Sequence, residues 1–550
     1  MKSISIPLLA LLAAACTNMA DRPRQAAAAP AIPLGTLQSL TREMSSDAYE
    51  GRAPGTAGEQ MTVDLLSRSF AQAGLQPGNN GSWVQNVPLV QITAQGRPTL
   101  RVTGGGQPLS FNYRTDMVAG TYRVQPRVSL ASSDIVFVGY GINAPERGWN
   151  DYAGLDVRGK TVIILVNDPD WQTRTLDGPF GGRAMTYYGR WTYKYEEAAR
   201  QGAAAAFIVH QTEPASYGWN VVENSWTGPQ HYLDRPGGNM DQTIVNGWLT
   251  QDAARRLIAA GGQDLAALTE RARQQGFRPV PLGRLEASMD VESTIERQQS
   301  RNVIGVLRGR TRPDEYLLYT AHWDHLGICA ETGADRICNG ATDNATGTAA
   351  LVALAQAHAQ ARPERSIVFI AVTAEESGLL GSRYYAENPV FPLARTVAGI
   401  NMDSLNMAGT TRDFVATGAG KSELDRYLEQ VLTRRGIRLV PETTPEAGYY
   451  YRSDHFSFAR QGVPMIYARG GEDLVAGGAA AGRAWAAEYR ANRYHQPGDE
   501  FLTTWDWAGA IRDLEVYYEV MNGLANSRDW PNWNQGDEFR AIRDRSRAGQ

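Results

Sequence analysis

Histidine is scarce in this 550-residue chain: there are seven, at positions 210, 231, 322, 325, 358, 455 and 495. Two of them share the segment His322-Trp323-Asp324-His325, and Asp454 precedes His455. Further carboxylates stand in Gly340-Ala341-Thr342-Asp343-Asn344, in Thr373-Ala374-Glu375-Glu376 and at Asp403, and a late histidine lies in Tyr494-His495-Gln496. Imidazole and carboxylate are both zinc ligands, and a carboxylate can bridge a pair of metals. In an extended His322-x-Asp324 both side chains point the same way, so Asp324 can hold His322 from behind. Adjacent Glu375 and Glu376 point to opposite sides. One can bind metal while the other serves as general base on a metal-bound water. Each piece alone reads as a polar loop, a cap or a solvated surface. Their joint placement is what argues for chemistry.

The elements that must position these residues alternate between strand and helix. Tyr316–Thr320, Ser366–Val372, Val397–Met402 and Val463–Ala468 read as buried strands. Thr348–Ala359, Leu379–Glu387, Ser422–Arg434 and Trp505–Ala525 read as helices. That alternation predicts an α/β fold with a mixed, largely parallel sheet flanked by helices. In such sheets ligands sit outside the carboxyl ends of the strands. His322, Glu375 and Asp403 each follow one. Before this region, Leu37–Leu75 reads as helices with turns. From about Leu100 the pattern changes to short β-like runs, among them Ile135–Val138, Thr161–Val166 and Ala203–Val209.

Composition narrows the class. Hydrophobic residues make up 43% and charged residues 20%, as in ordinary globular domains, which excludes wholesale disorder. The net charge of −4 and scattered arginines give no nucleic-acid footprint, so no nucleic-acid partner is expected. Met1-Lys2 and the apolar run Ile4–Ala15 read as an export signal, too short to span a membrane. Cys16 follows Ala13-Ala14-Ala15 where a lipidated cysteine would stand, which predicts a membrane tether through its lipid. The protein is thus expected to be exported, as a periplasmic or cell-envelope lipoprotein or as a secreted protein. In that setting Cys329 and Cys338 are expected to pair in a small disulfide loop. Their spacing matches no zinc pattern.

Against this background a resemblance becomes specific. His322–Gly327, Gly340–Gly347, Ala374–Ser382 and Asn401-Met402-Asp403, followed by Tyr451–His455 and Tyr494-His495, resemble the motifs of the M28 family of zinc metallopeptidases. Glu50-Gly51-Arg52 resembles that family's bacterial members. The likeness spans 36–105 and 288–525. It implies a zinc-exopeptidase fold and an aminopeptidase that removes N-terminal residues from peptides through a metal-bound hydroxide. It also implies two zinc ions per chain, with ligands His322, Asp343, Glu376, Asp403 and His495. Asp343 would bridge the metals. Glu375 would be general base, Asp324 would orient His322, and the Asp343–Asn344 bond is a candidate cis peptide. Tyr451, Asp454 and His455 would contact substrate or stand behind the ligands. His325 is read as structural.

Val138–Gly141, Asp156–Val162 and Lys194–Ala203 resemble a β-rich protease-associated (PA) domain, an insert without catalytic residues that can cap the cleft. The expected organisation is 1–16 signal and lipobox, 17–35 linker, 36–110 first catalytic part, 111–287 insert and 288–550 second catalytic part. Peptide substrates are the expected partners, and no obligate protein partner is evident. Carboxypeptidase action, glutaminyl cyclisation on the same fold, or a receptor-like relative without activity are the competing readings.

Overall fold

The computed structural model describes residues 30–330 and 332–548. The signal segment, Cys16 and most of the 17–35 linker lie outside these residues, and the first helix, Leu34–Met44, begins within the expected linker. A larger sheet carries the chemistry. Its centre is four parallel strands, in the spatial order Arg365–Val372, Arg312–His322, Thr396–Asn401 and Met465–Gly470. Every residue of Arg365–Val372 and of Thr396–Asn401 is buried, as strands covered on both faces require. One edge continues antiparallel through Val280–Leu307, Val84–Ala94 and Pro229–Leu233. The other continues through Asp413–Ala416 to Arg438–Val440.

Helices cover the faces. Thr346–Ala361 is almost wholly buried, and its alanines let it lie close against the sheet. It packs in one core with the helices Leu34–Met44, Ala57–Gln72 and Ala508–Asn526. Among the described residues no helix is long and apolar enough to cross a membrane.

The insert has its own sheet and its own core. Arg127–Phe137, Thr161–Leu165, Ala205–Val209 and Val245–Leu249 run parallel to one another. The helices Trp191–Arg200 and Gln251–Ala260 pack beside them, so the insert is itself α/β.

Strand pairing redraws the expected borders. Leu100–Thr103, expected in the first catalytic part, and Leu109–Phe111, which crosses the expected 110/111 border, pair within the insert sheet. Pro229–Leu233, expected in the insert, pairs with Val84–Ala94 in the larger sheet. Val280–Leu307 crosses the 287/288 border as a single strand of 28 residues. Its first half pairs with Arg127–Phe137 in the insert, and its second half with Val84–Ala94. Side chains from Leu285 to Ser293 keep alternating between buried and less buried through the border, so periodicity carries no signal there.

Candidate metal centre

Four of the five candidate ligands flank a packed strand or helix, and His495 lies in a turn after the exposed helix Gly478–Asn492. His322 ends the strand Arg312–His322, Glu375 and Glu376 follow Arg365–Val372, and Asp403 follows Thr396–Asn401. Asp343 precedes the helix Thr346–Ala361, in a turn that opens at Gly340 with φ 54°. A side chain at Gly340 would collide with the Asp343 carbonyl and the His325 ring. The Asp343–Asn344 peptide is cis. Asn344 Nδ2 donates to the Met402 carbonyl, which ties this turn to the segment carrying Asp403.

The side chains converge. His322 Nε2 lies 3.2 Å from Asp343 Oδ1 and 3.5 Å from Asp403 Oδ1. His495 Nε2 lies 3.4 Å from Asp343 Oδ2 and 3.0 Å from Glu376 Oε2. Asp343 thus offers one oxygen to each side. The carboxylate of Glu375 is within 4.8 Å of the ligand atoms of His322 and Glu376. His322 Nε2 is buried and has hydrogen-bond geometry to no neighbour. A buried nitrogen without a partner, aimed at two carboxylates, is the environment of a metal ligand. Imidazole with carboxylate is also a zinc donor set. The residues therefore fit zinc.

The charges are strongly coupled. Burial disfavours protonation of His322, but Glu375, Asp343 and Asp403 outweigh it and hold the imidazole well above its ordinary pKa. Burial likewise opposes protonation of His495, and its hydrogen bonds to Asp343 and Glu376 carry it up to about 10. Burial and Asp343 oppose ionisation of Glu376, yet His325 and His495 bring it down to about 2. Glu375 is pushed up, first by burial and then by the charges of Glu376, Asp403 and Asp454.

Several roles differ from the sequence expectation. Asp324 meets His322 through its main chain: its carbonyl lies 3.1 Å from Nδ1, whereas its nearer carboxylate oxygen is 3.8 Å away. The carboxylate instead accepts the amides of Glu375 and Glu376, at 3.1 and 3.4 Å. Burial lifts it to about 6. Tyr451 does not turn to the ligands. Its hydroxyl donates to Glu538 Oε1 at 3.0 Å and accepts from Lys421, because the C-terminal segment folds back over it. His455 is fully buried between Tyr467 and Tyr450, each ring 4.6 Å away, and neither nitrogen has a hydrogen-bond partner. Asp454 is also fully buried, and its burial lifts it to about 7. Of the two places expected for Asp454 and His455, the buried one behind the ligands is where they lie.

Other residues at the site escaped the sequence reading. His325 Nδ1 lies 2.6 Å from Glu376 Oε1, so the histidine read as structural touches a candidate ligand. Ser453 donates to Asp403 Oδ2 at 2.7 Å. Asp499 accepts the Asp343 amide at 3.0 Å. Tyr494 stacks on His495 at 3.9 Å. Ser453 and Tyr494 lie close to His455 and His495 in sequence, which is the signal that could have found them, and Asp499 lies four residues beyond His495. Cys329 and Cys338 form a disulfide.

Imidazole and carboxylate groups thus meet around Asp343 at the carboxyl edge of a parallel sheet, in groups such as His322/Asp343/Asp403 and His325/Asp343/Glu376 that could hold metal. Residues 302–519, the segment carrying every candidate ligand, match the model of Peptidase family M28. Among relatives, aminopeptidase NAALADL1 of Mus musculus is 35% identical over 138 residues, 23% of this chain. The chain spans only 17% of the length of that protein and 17% of its rat counterpart. Leucine aminopeptidase 2 of Arthroderma otae is 27% identical over 450 residues, 79% of this chain and 72% of its own. The solved aminopeptidase from Aneurinibacillus sp. strain AM-1 superposes with a TM-score of 0.48 at 20% identity, covering 91% of this chain and 95% of that one.

Proposed function

We propose that this protein is an exported zinc aminopeptidase that holds two zinc ions and removes N-terminal residues from peptides. The observation that carries the reading is Asp343, whose two oxygens face two histidines from opposite sides. On this reading His322, Asp343 and Asp403 hold one ion, and Asp343, Glu376 and His495 the other. Bound zinc supplies Lewis acidity to a peptide carbonyl and acidifies water. The chain's own residues do the rest. Glu375 takes a proton from the attacking water and returns it to the leaving amine. Asp324 fixes the Glu375 and Glu376 backbone through their amides. Ser453 holds Asp403 in place, and Tyr494 holds the His495 ring.

The insert is proposed to be a PA domain. Export is supported by the basic and apolar start of the sequence and by the disulfide, since disulfides persist in oxidising compartments.

Glu375→Gln tests the mechanism. It should retain two zinc ions by elemental analysis and lose about 10²- to 10⁴-fold in kcat on aminoacyl substrates. Normal turnover by this variant would refute the role of Glu375. Cleavage of N-blocked but not C-blocked dipeptides would refute the aminopeptidase reading.

A further inference from the structure

We infer that Arg52 is a positioning residue for the metal centre, clamping the two backbone segments that carry His322 and Asp343. Its side chain is 0% exposed. Nε donates to the Trp323 carbonyl at 2.9 Å, one residue beyond His322. Nη1 donates to Met44 at 2.6 Å and to Asn339 at 2.7 Å, and Nη2 to Gly340 at 2.9 Å. Four N–H groups thus fasten three separate segments, all through main-chain carbonyls. A buried guanidinium ordinarily takes a carboxylate partner. Here the planar fork is used to join backbone.

The local chain is bent to deliver it. Glu50, Gly51 and Arg52 all have positive φ, at 47°, 65° and 52°. Two of the three are not glycine, and such conformations persist where the surroundings over-determine them, commonly at functional sites. Gly51 is required for space as well, because a side chain there would run into the Cys338 carbonyl and Gly327.

The same turn is held from the other polarity by Asp499. Its carboxylate accepts the Thr342 amide at 3.1 Å and the Asp343 amide at 3.0 Å, and its own carbonyl accepts from Ala341 at 2.9 Å. The segment 339–343 therefore gives its carbonyls to a buried cation and its amides to a buried anion. Asp343 is fixed relative to His322 before any ion arrives.

The inference rests on the zinc reading above, and the test separates the two. Arg52→Lys keeps the charge but has three donors on a point-like head, which cannot span four carbonyls. Arg543→Lys is the control. Arg543 is 1% exposed and also donates to carbonyls, those of Leu393, Thr396 and Val397, away from the ligands. Zinc affinity is read by chelator competition on the folded protein, alongside kcat and KM. Arg52→Lys should bind zinc about 10- to 100-fold more weakly and lose kcat with little change in KM, the usual effect of a partner behind a ligand. Arg543→Lys should be less stable with wild-type zinc affinity. Should Arg52→Lys not fold, Asp499→Asn reads the same turn and should also weaken zinc. Wild-type zinc affinity in the folded Arg52→Lys, or in Asp499→Asn where that is the variant read, overturns the inference. A wild-type protein that takes up no zinc overturns the zinc reading instead.

Discussion

His455 offers a test that separates a binding-pocket histidine from an interior one. Burial holds its pKa at about 3, against 6.5 when solvated. The imidazole therefore stays neutral in the folded protein while it protonates freely on unfolding. The unfolded state binds more protons below pH 6.5, so stability is full above that value and falls as the pH drops toward 3. At about pH 5 the difference amounts to about 2 kcal/mol, and the full gap to about 5 kcal/mol. His455→Phe removes the titration. It also preserves aromatic contact with Tyr467 and Tyr450. Urea denaturation of chelator-treated protein is the assay, at about pH 7.5 and about pH 5. Wild type should lose about 2 kcal/mol more than the variant between these conditions. KM for peptide substrates should be unchanged in the variant. An identical acid dependence in the two proteins would refute the burial argument, and a raised KM would return His455 to the substrate pocket.

Two further outcomes follow from the packing. Glu196, in the insert, accepts from Arg460 at 3.0 and 2.7 Å and approaches Arg383 at 3.7 Å, both outside the insert. The pair is part-buried, so Glu196→Gln should cost about 2 kcal/mol, between the surface and buried limits, read as an earlier first transition in calorimetry. An unchanged profile would show that the insert is held by other contacts. Replacing Cys329 and Cys338 by serine opens a loop of separation 9 and should cost at most about 3 kcal/mol of stability, seen as a lower urea midpoint.

The sequence was most legible where its pattern is local. Short apolar runs rich in β-branched residues, such as Ser366–Val372, read as buried strands, and the polar residues that end them fall at the sheet's carboxyl edge. That logic placed His322, Glu375, Glu376 and Asp403 on one rim. It failed where position depends on distant chain. Nothing in Tyr449-Tyr450-Tyr451 says which hydroxyl faces inward, because the choice is made by Lys421 and Glu538, the latter 87 residues away. Asp324 looked like a carboxylate partner for His322 because alternation was assumed to continue past the strand end. The chain turns there, and the carboxylate meets the amides of Glu375 and Glu376 instead.

Attachments of different character place the insert. Val280–Leu307 passes from one sheet into the other without a break, so the insert is joined by hydrogen-bonded backbone and not by a flexible linker. The chain also crosses between the sheets after Val84–Ala94 and on either side of Pro229–Leu233. A further attachment lies elsewhere on the interface: Tyr187 packs on Phe456 at 5.1 Å, and Glu196 pairs with Arg460. Both contacts engage the segment that begins with Ser453, the donor to Asp403. Any twist of the insert must therefore break contacts to the helix His455–Ala459, two residues beyond that donor. The position of the insert and the orientation of a candidate ligand are in this way set by the same short stretch of chain.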